Sequence, residues 1–292
     1  MIHIVDAHAH LWDTSLLRYP WLEEFPPLAA PHTFEDYKNV TGALSDVVFD
    51  GAIVVQADVA TDLALDECAL IAKMVGSAPQ LGFVAYAPLE EGHSVSKVLD
   101  QLAENSFVVG VRRAVQNEPT EMLTSPGYIS GLTEAVKRGL CVDLCVRSFQ
   151  LSAAYEAVAA VVEKFPNARF IIDHAGKPPA PEQEAAWRSW STDLAKVAEL
   201  PAAYCKLSGL LTEYDASVPP ETAMPSINHI LDVFGPERTL FGTDWPVVEL
   251  AAEVGTWIEL VRSALEQRSN RYERIWGRNS LEVYGLNKNE KQ

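Results

Sequence analysis

The chain has 292 residues, 48% of them hydrophobic and 22% charged, and a formal net charge of −17. The length allows two domains but is equally that of one α/β barrel, and it is enough to bury a substantial core. The acid excess argues against nucleic acid and anionic membrane as partners, and no apolar run approaches the ~18 residues of a membrane span.

Met1-Ile2-His3-Ile4-Val5 enters a strand at once, without the basic and apolar regions of a secretory leader, so the cytoplasm is the expected compartment. The strand runs into Asp6-Ala7-His8-Ala9-His10. Residues two apart on a strand face the same way, so His8 and His10 aim at one point near the strand end. Paired imidazoles suit a divalent metal and are costly to leave unpaired in a core. Residues 11–31 then carry four prolines and four aromatics, among them Trp12, Tyr19, Trp21 and Phe25. Such a stretch makes no regular helix and reads as a long loop at the histidine end, covering a pocket with Trp12 or Trp21.

A regular alternation follows. Strand-like runs at 51–56, 81–86, 107–113, 141–146, 169–174, 203–208 and 239–244 are separated by helical patterns at 62–75, 95–104, 130–138, 152–165, 182–198 and 224–234. Helices at 249–267 and 270–284 end the pattern, and residues 286–292 read as a frayed tail. Several strands are near-continuous apolar runs, as expected when both faces are buried. Eight strands, most followed by a helix, point to a single (β/α)8 barrel over residues 1–292. No G-x-G-x-x-G follows a strand and no phosphate-binding loop motif occurs, which removes the main support for nucleotide readings. Cys68, Cys141, Cys145 and Cys205 fit no zinc spacing, and the last three read as small core residues in strands.

Active sites of such barrels lie at the C-terminal strand ends. The polar residues fall there in order: His8 and His10, Gln56, Arg112 and Arg113, Arg147, Asp173 with His174 and Lys177, Lys206 with Ser208 and Glu213, and Asp244. One strand-end charge is an ordinary loop residue, whereas a ring of them around one mouth is a site. Arg112 and Arg113 cannot both point inward, so one is expected to pair with a carboxylate outside the barrel, and Lys206 to pair with Glu213 or Asp244. His3, His32, His93 and His229 have no strand-end logic and read as surface or packing residues.

With His-x-His ending strand one, a His ending strand six and an Asp ending strand eight, the chain resembles the amidohydrolase superfamily of barrel hydrolases. The stretches Val109-Gly110-Val111-Arg112-Arg113, Ile172-Asp173-His174-Ala175-Gly176-Lys177-Pro178, Lys206-Leu207-Ser208-Gly209-Leu210 and Leu240-Phe241-Gly242-Thr243-Asp244-Trp245-Pro246 narrow the likeness. They are similar to the amidohydrolase-2 branch and, within it, to sugar-acid lactonases acting on L-rhamnono- and L-fucono-type lactones. The likeness covers nearly the whole chain. It departs from the two-metal members at strand five, which ends in Val146-Arg147-Ser148 without a histidine, and at strand four, which ends in arginines.

The resemblance implies hydrolysis of a small-molecule lactone by water. Asp244 would be the base, its pKa raised by apolar neighbours, with His8, His10 and His174 around the carbonyl. Either one divalent ion, zinc or manganese, is held by His8, His10 and Asp244, or the histidines donate to the oxyanion without metal. Gln56, Arg112, Arg113, Arg147 and Glu213 would bind substrate hydroxyls or a carboxylate, and Trp12 and Trp21 would flank it. A homo-oligomer is compatible with the sequence. Other readings stand beside this one: a hydrolase or non-oxidative decarboxylase of the same superfamily acting on a carboxylated or aromatic acid, a barrel isomerase, and a catalytically dead barrel that binds. The Asp-x-His-x-His start argues against the isomerase, and the presence of His174 and Asp244 against the dead barrel.

Overall fold

A computed structural model describes residues 1–286 except 79, 216 and 267. Eight parallel strands form one sheet in sequential order: β1 (Ile2–Ala9), β2 (Val47–Val55), β3 (Leu81–Tyr86), β4 (Val108–Arg112), β5 (Cys141–Leu144), β6 (Phe170–Ile172), β7 (Ala203–Leu207) and β8 (Thr239–Phe241). The last strand returns to the first. Ala9 bridges Trp245, the His10 N–H donates to the Trp245 carbonyl at 2.7 Å, and the Asp244 N–H donates to the His8 carbonyl at 2.7 Å. The result is the (β/α)8 barrel the alternation predicts.

Strand residues alternate between two cores, as period two demands. Ala7, Ile53, Val55, Val84, Cys141, Ile171 and Leu240 fill the lumen, where Val283 and Tyr284 join them. Ile4, Ala52, Val54, Phe83, Val142, Phe170 and Phe241 face the surrounding helices. Burial on both faces explains the apolar runs that mark the strands.

The helices are α1 (Phe34–Gly42), α2 (Ala64–Val75), α3 (Ser96–Glu104), α4 (Pro126–Lys137), α5 (Leu151–Val162), α6 (Glu184–Ala198), α7 (Met224–Arg238), α8 (Val254–Leu265) and α9 (Arg278–Val283). Helix α1 is absent from the sequence reading, yet Thr33-Phe34-Glu35-Asp36 is a start signal. The Thr33 N–H donates to Asp36 Oδ2 at 2.8 Å, and the Asp36 N–H donates to Thr33 Oγ1. Helix α4 begins four residues before the expected Ser130 because Ser125 caps it and Pro126 occupies its first turn. The expected helix at 270–284 is a 3-10 run, Asn270–Trp276, followed by the short α9.

Residues 11–31 are more ordered than a loop reading implies. Two 3-10 turns, Pro20–Glu24 and Pro26–Leu28, pack Trp12, Tyr19, Leu22 and Leu28 onto Ala57 and Val59 beyond β2, with Val247 and Leu250 beyond β8 alongside. The segment therefore lies at the C-terminal end of the barrel. The expected tail also needs correction at its start. Leu286 packs against the lumen cluster and its N–H donates to the Leu281 carbonyl; residues 287–292 lie outside the described residues. Among the described residues, no helix is long and apolar enough to cross a membrane.

Candidate active site

Four side chains from three strand ends meet at the C-terminal mouth. His8 Nε2 lies 3.1 Å from His10 Nε2, and Asp244 Oδ1 lies 3.7, 3.6 and 3.9 Å from Nε2 of His8, His10 and His174. All four are buried, with only edges of His10, His174 and Asp244 open to solvent.

The backbone bends sharply to bring them there. After β6 the residues His174, Ala175, Gly176 and Lys177 are all left-handed, with φ of 50°, 51°, 69° and 57°. Asp244 is left-handed as well, at φ 60°. For non-glycine residues this costs about 1–2 kcal/mol each, and such strain gathers where a side chain must be aimed. Two glycines make the room. A Cβ on Gly209, itself at φ 61°, would collide with His174 Nδ1 and lie 2.8 Å from Asp244 Oδ2. One on Gly242 would lie 2.9 Å from the His8 Cβ. The glycines of Ser208-Gly209 and Phe241-Gly242-Thr243 are thus clearances for the site.

Beneath the four lies a buried charged layer. Lys206 sits in the lumen, fully buried, with its ammonium on Asp143 Oδ2, 2.9 Å from Asp173 Oδ1 and 3.0 Å from His8 Nδ1. Arg112 Nη1 donates to Asp173 Oδ2 at 3.1 Å and Nη2 to the Gln56 carbonyl at 2.6 Å. The Tyr284 hydroxyl donates to Asp143 Oδ1 at 2.9 Å. Beside it, Asp6 accepts from the His8 N–H, the Thr243 N–H and hydroxyl, and the Tyr37 hydroxyl. The histidines above have outer partners of their own. His10 Nδ1 lies 2.8 Å from the Val55 carbonyl, and His174 Nδ1 3.0 Å from Ser208 Oγ.

Burial, and next the Lys206 ammonium, hold His8 well below the ordinary imidazole pKa. Burial lowers His174 too, against the pull of Asp244. Both are therefore neutral at neutral pH. Burial pushes Asp173 up, but Lys206, His8 and Arg112 outweigh it and hold the carboxyl well below its usual range. Asp244 corrects an expectation. Burial does push it up, but His174, His10 and His8 outweigh that, and the carboxyl stays below the usual range rather than above it.

The structure brings together His8, His10, His174 and Asp244 and disperses the residues expected to bind substrate. Gln56 is fully buried and spends its amide on Asp58, accepting from the Asp58 N–H at 2.6 Å. Trp12 is fully buried in the loop's own core, its Nε1 donating to the Ala30 carbonyl at 2.9 Å, and presents no face to a ligand. Trp21 is half-buried beside it and donates to the Ala57 carbonyl. Arg112 is the inward arginine, but it holds Asp173 rather than facing the mouth. Arg113 turns away to Glu90 at 2.8 Å and Glu118 at 2.6 Å. Arg147 contacts the Gln116 carbonyl and Asn117 Oδ1. Glu213 pairs with Lys177 at 2.6 Å, not with Lys206. Lys206 pairs with neither Glu213 nor Asp244, because Asp143 and Asp173 lie inside the lumen with it. Sequence reasoning gave no role to Asp143. The signal was a lone carboxylate in Cys141-Val142-Asp143-Leu144, since a charge inside an apolar strand must be paired.

His8, His10 and Asp244 are the one group of three potential metal ligands among the described residues, with ligand atoms all within 4.8 Å of one another. Their separations of 3.1, 3.6 and 3.7 Å bracket the about 3.4 Å edge of a tetrahedron around an ion with 2.0–2.2 Å bonds. The donor set therefore fits one zinc-like ion.

The sequence model of the amidohydrolase family matches residues 5–286. An L-fucono-1,5-lactonase from Burkholderia multivorans is 29% identical over 97% of this chain and 96% of its own. An L-rhamnono-gamma-lactonase from Scheffersomyces stipitis is 25% identical over 85% of this chain and 87% of its own. Among solved structures, an amidohydrolase from Burkholderia multivorans with bound zinc superposes with a TM-score of 0.82 at 27% identity, covering 97% of this chain and 99% of that one. The chain belongs to the amidohydrolase family, and it is an enzyme of the hydrolase class.

Proposed function

We propose that the protein opens a sugar-acid lactone of the L-fucono- or L-rhamnono- type to the free acid by water attack at the barrel mouth. The observation that carries this is the Asp244 carboxylate with three imidazole Nε2 atoms within 3.9 Å of its Oδ1. That arrangement sets a base beside imidazoles that can donate to an oxyanion or hold an ion, which is what ester hydrolysis requires. The curated relatives above supply the substrate class.

In this reading Asp244 takes a proton from water as the water oxygen bonds to the lactone carbonyl carbon. The Ser208 hydroxyl donates to His174 Nδ1, which leaves His174 Nε2–H to donate to the developing oxyanion. When the ring C–O bond breaks, Asp244 returns the proton to the departing ring oxygen. A divalent ion on His8, His10 and Asp244, when bound, would polarise the carbonyl and acidify the water. The Lys177–Glu213 pair at the mouth supplies a donor and an acceptor for sugar hydroxyls.

The rival reading, a carboxylated or aromatic acid as substrate, needs a cationic clamp. Arg112 is committed to Asp173 and the Gln56 carbonyl, and Arg113 to Glu90 and Glu118. Their commitment takes the strand-four arginines out of such a clamp and leaves Lys177, itself paired with Glu213, and Arg147, whose guanidinium contacts only the Gln116 carbonyl and Asn117 among the described residues. A pH-indicator screen of neutral aldonolactones against carboxylated lactones, with Asp244→Asn as the control, tests the proposal. Turnover of the carboxylated set alone would refute it.

A further inference from the structure

Hydrogen-bond partners fix the protons on two of the histidines. The Val55 carbonyl can only accept, so His10 Nδ1, 2.8 Å away, carries a proton and His10 Nε2 a lone pair. That lone pair faces His8 Nε2 at 3.1 Å, so His8 Nε2 must carry a proton, because two lone pairs would repel at this distance. His8 Nδ1 is then bare and accepts from Lys206 Nζ at 3.0 Å. The ammonium also donates to Asp143 and is ion-paired at 2.9 Å with Asp173 Oδ1, an oxygen without a hydrogen-bond partner among the described residues. One donor run therefore passes from Lys206 through His8 and His10 to Val55, with every proton placed.

In that state His8 has no lone pair for an ion. Ligation requires the other tautomer, with Nδ1–H donating to Asp173 Oδ1, 3.3 Å away, and Nε2 bare. Lys206 and Asp173 thus compete for one atom. We propose that Lys206 is a positioning residue which holds His8 in the tautomer that excludes a divalent ion, while Asp173 supports the tautomer that binds one, so that this pair sets the metal affinity of the centre. The inference stands on the geometry of the centre and holds whatever the substrate.

The test uses the intact chain, uniformly ¹⁵N-labelled at histidine and stripped with chelator. Long-range ¹H–¹⁵N correlation spectra, assigned with His8→Gln and His10→Gln, should show His8 protonated at Nε2 and His10 at Nδ1. Zinc should move the His8 proton to Nδ1. A stripped protein with His8 protonated at Nδ1 overturns the proposal, and this readout needs no variant of the charged layer to fold. Zinc affinity is then measured by competition with a chromophoric chelator. Lys206→Met should bind zinc at least about 10-fold tighter and Asp173→Asn at least about 10-fold more weakly, the scale of outer-shell effects on metal sites. In stripped Lys206→Met the His8 proton should shift in part from Nε2 toward Nδ1, since the bare His10 Nε2 then holds it alone. Tighter binding with the His8 proton wholly on Nε2, as in the wild type, would mean that only a charge had been removed, and it would overturn the tautomer mechanism. Unchanged affinity in a folded Lys206→Met would do the same.

Discussion

Asp6 Oδ2 accepts the Thr243 hydroxyl at 2.5 Å while its Oδ1 accepts the Thr243 N–H at 2.9 Å. The first and last strands of the barrel are thereby pinned together two residues from His8 and one from Asp244. The Tyr37 hydroxyl adds a further donor from α1.

Removing one donor from this junction should cost less than removing the acceptor. Thr243→Val is expected to lower stability by about 1–2 kcal/mol, the worth of a buried bond to a charged group. Asp6→Asn keeps an acceptor for the two N–H groups but loses the charge and forces both hydroxyls to turn and accept from its NH2, and it should cost more, about 3 kcal/mol. Denaturant midpoints of the two variants, measured at pH 7, check the order. Equal midpoints would show that the junction is not held by Asp6.

Asp244→Asn keeps shape but cannot accept a proton, and lactonase activity should fall at least ~10²-fold. The wild-type rate should depend on a deprotonated carboxylate. Because the folded pKa lies below the ordinary 3.8, the active form persists above that pH and is lost only as pH falls through the depressed value. A pH–rate profile with its acid limb above pH 5 would contradict this assignment.

Metal titration of stripped protein should saturate at one zinc per chain, and His10→Ala should abolish that uptake, since His10 Nε2 is one of three donors. Equilibrium dialysis with zinc analysis gives the number directly. Two equivalents bound to the wild type would point to ligands outside this cluster.

Glu67 is fully buried on α2, its Oε1 accepting the Ala57 N–H and its Oε2 without a hydrogen-bond partner among the described residues. Burial raises its pKa from 4.5 to about 8. The folded state therefore holds a proton that the unfolded state has released, and stability falls as pH rises from 4.5 to about 8. The slope from this one group is at most about 1.4 kcal/mol per pH unit. Glu67→Gln should flatten it, raising stability at pH 8 more than at pH 5. Parallel curves for wild type and variant would remove Glu67 from the balance.

Trp12 and Trp21 separate packing from ligand contact. Trp12→Ala empties the core of the 11–31 segment and should cost about 3–5 kcal/mol. Trp21→Ala, at a half-buried position, should be milder in stability and should raise KM if the indole borders the substrate. Thermal melts and Michaelis–Menten curves on the pair decide it.

The barrel and the four central side chains are legible because both rest on local rules: strand period places His8 with His10, and strand ends place His174 and Asp244. What escapes is what depends on long-range neighbours. Nothing near Lys206 in the chain announces Asp143, 63 residues away, or His8, 198 away. Arg112 and Arg113 are adjacent, so only the strand's pleat decides that the first enters the lumen and the second leaves it. The depressed Asp244 carboxyl escapes for the same reason, since its apolar chain neighbours matter less than three imidazoles brought from elsewhere. Helix α1 is a different case, for its Thr33–Asp36 start signal lies in plain view.

Tyr284, at the end of α9, reaches back into the lumen to hold Asp143. During synthesis the ribosome therefore releases the closing partner of the charged layer after every strand. A nascent chain lacking it carries Asp143 and Lys206 in a lumen whose plug has not yet arrived. The centre is thus assembled from β1 and from a segment that follows β8, and a product terminated before Tyr284 lacks the plug.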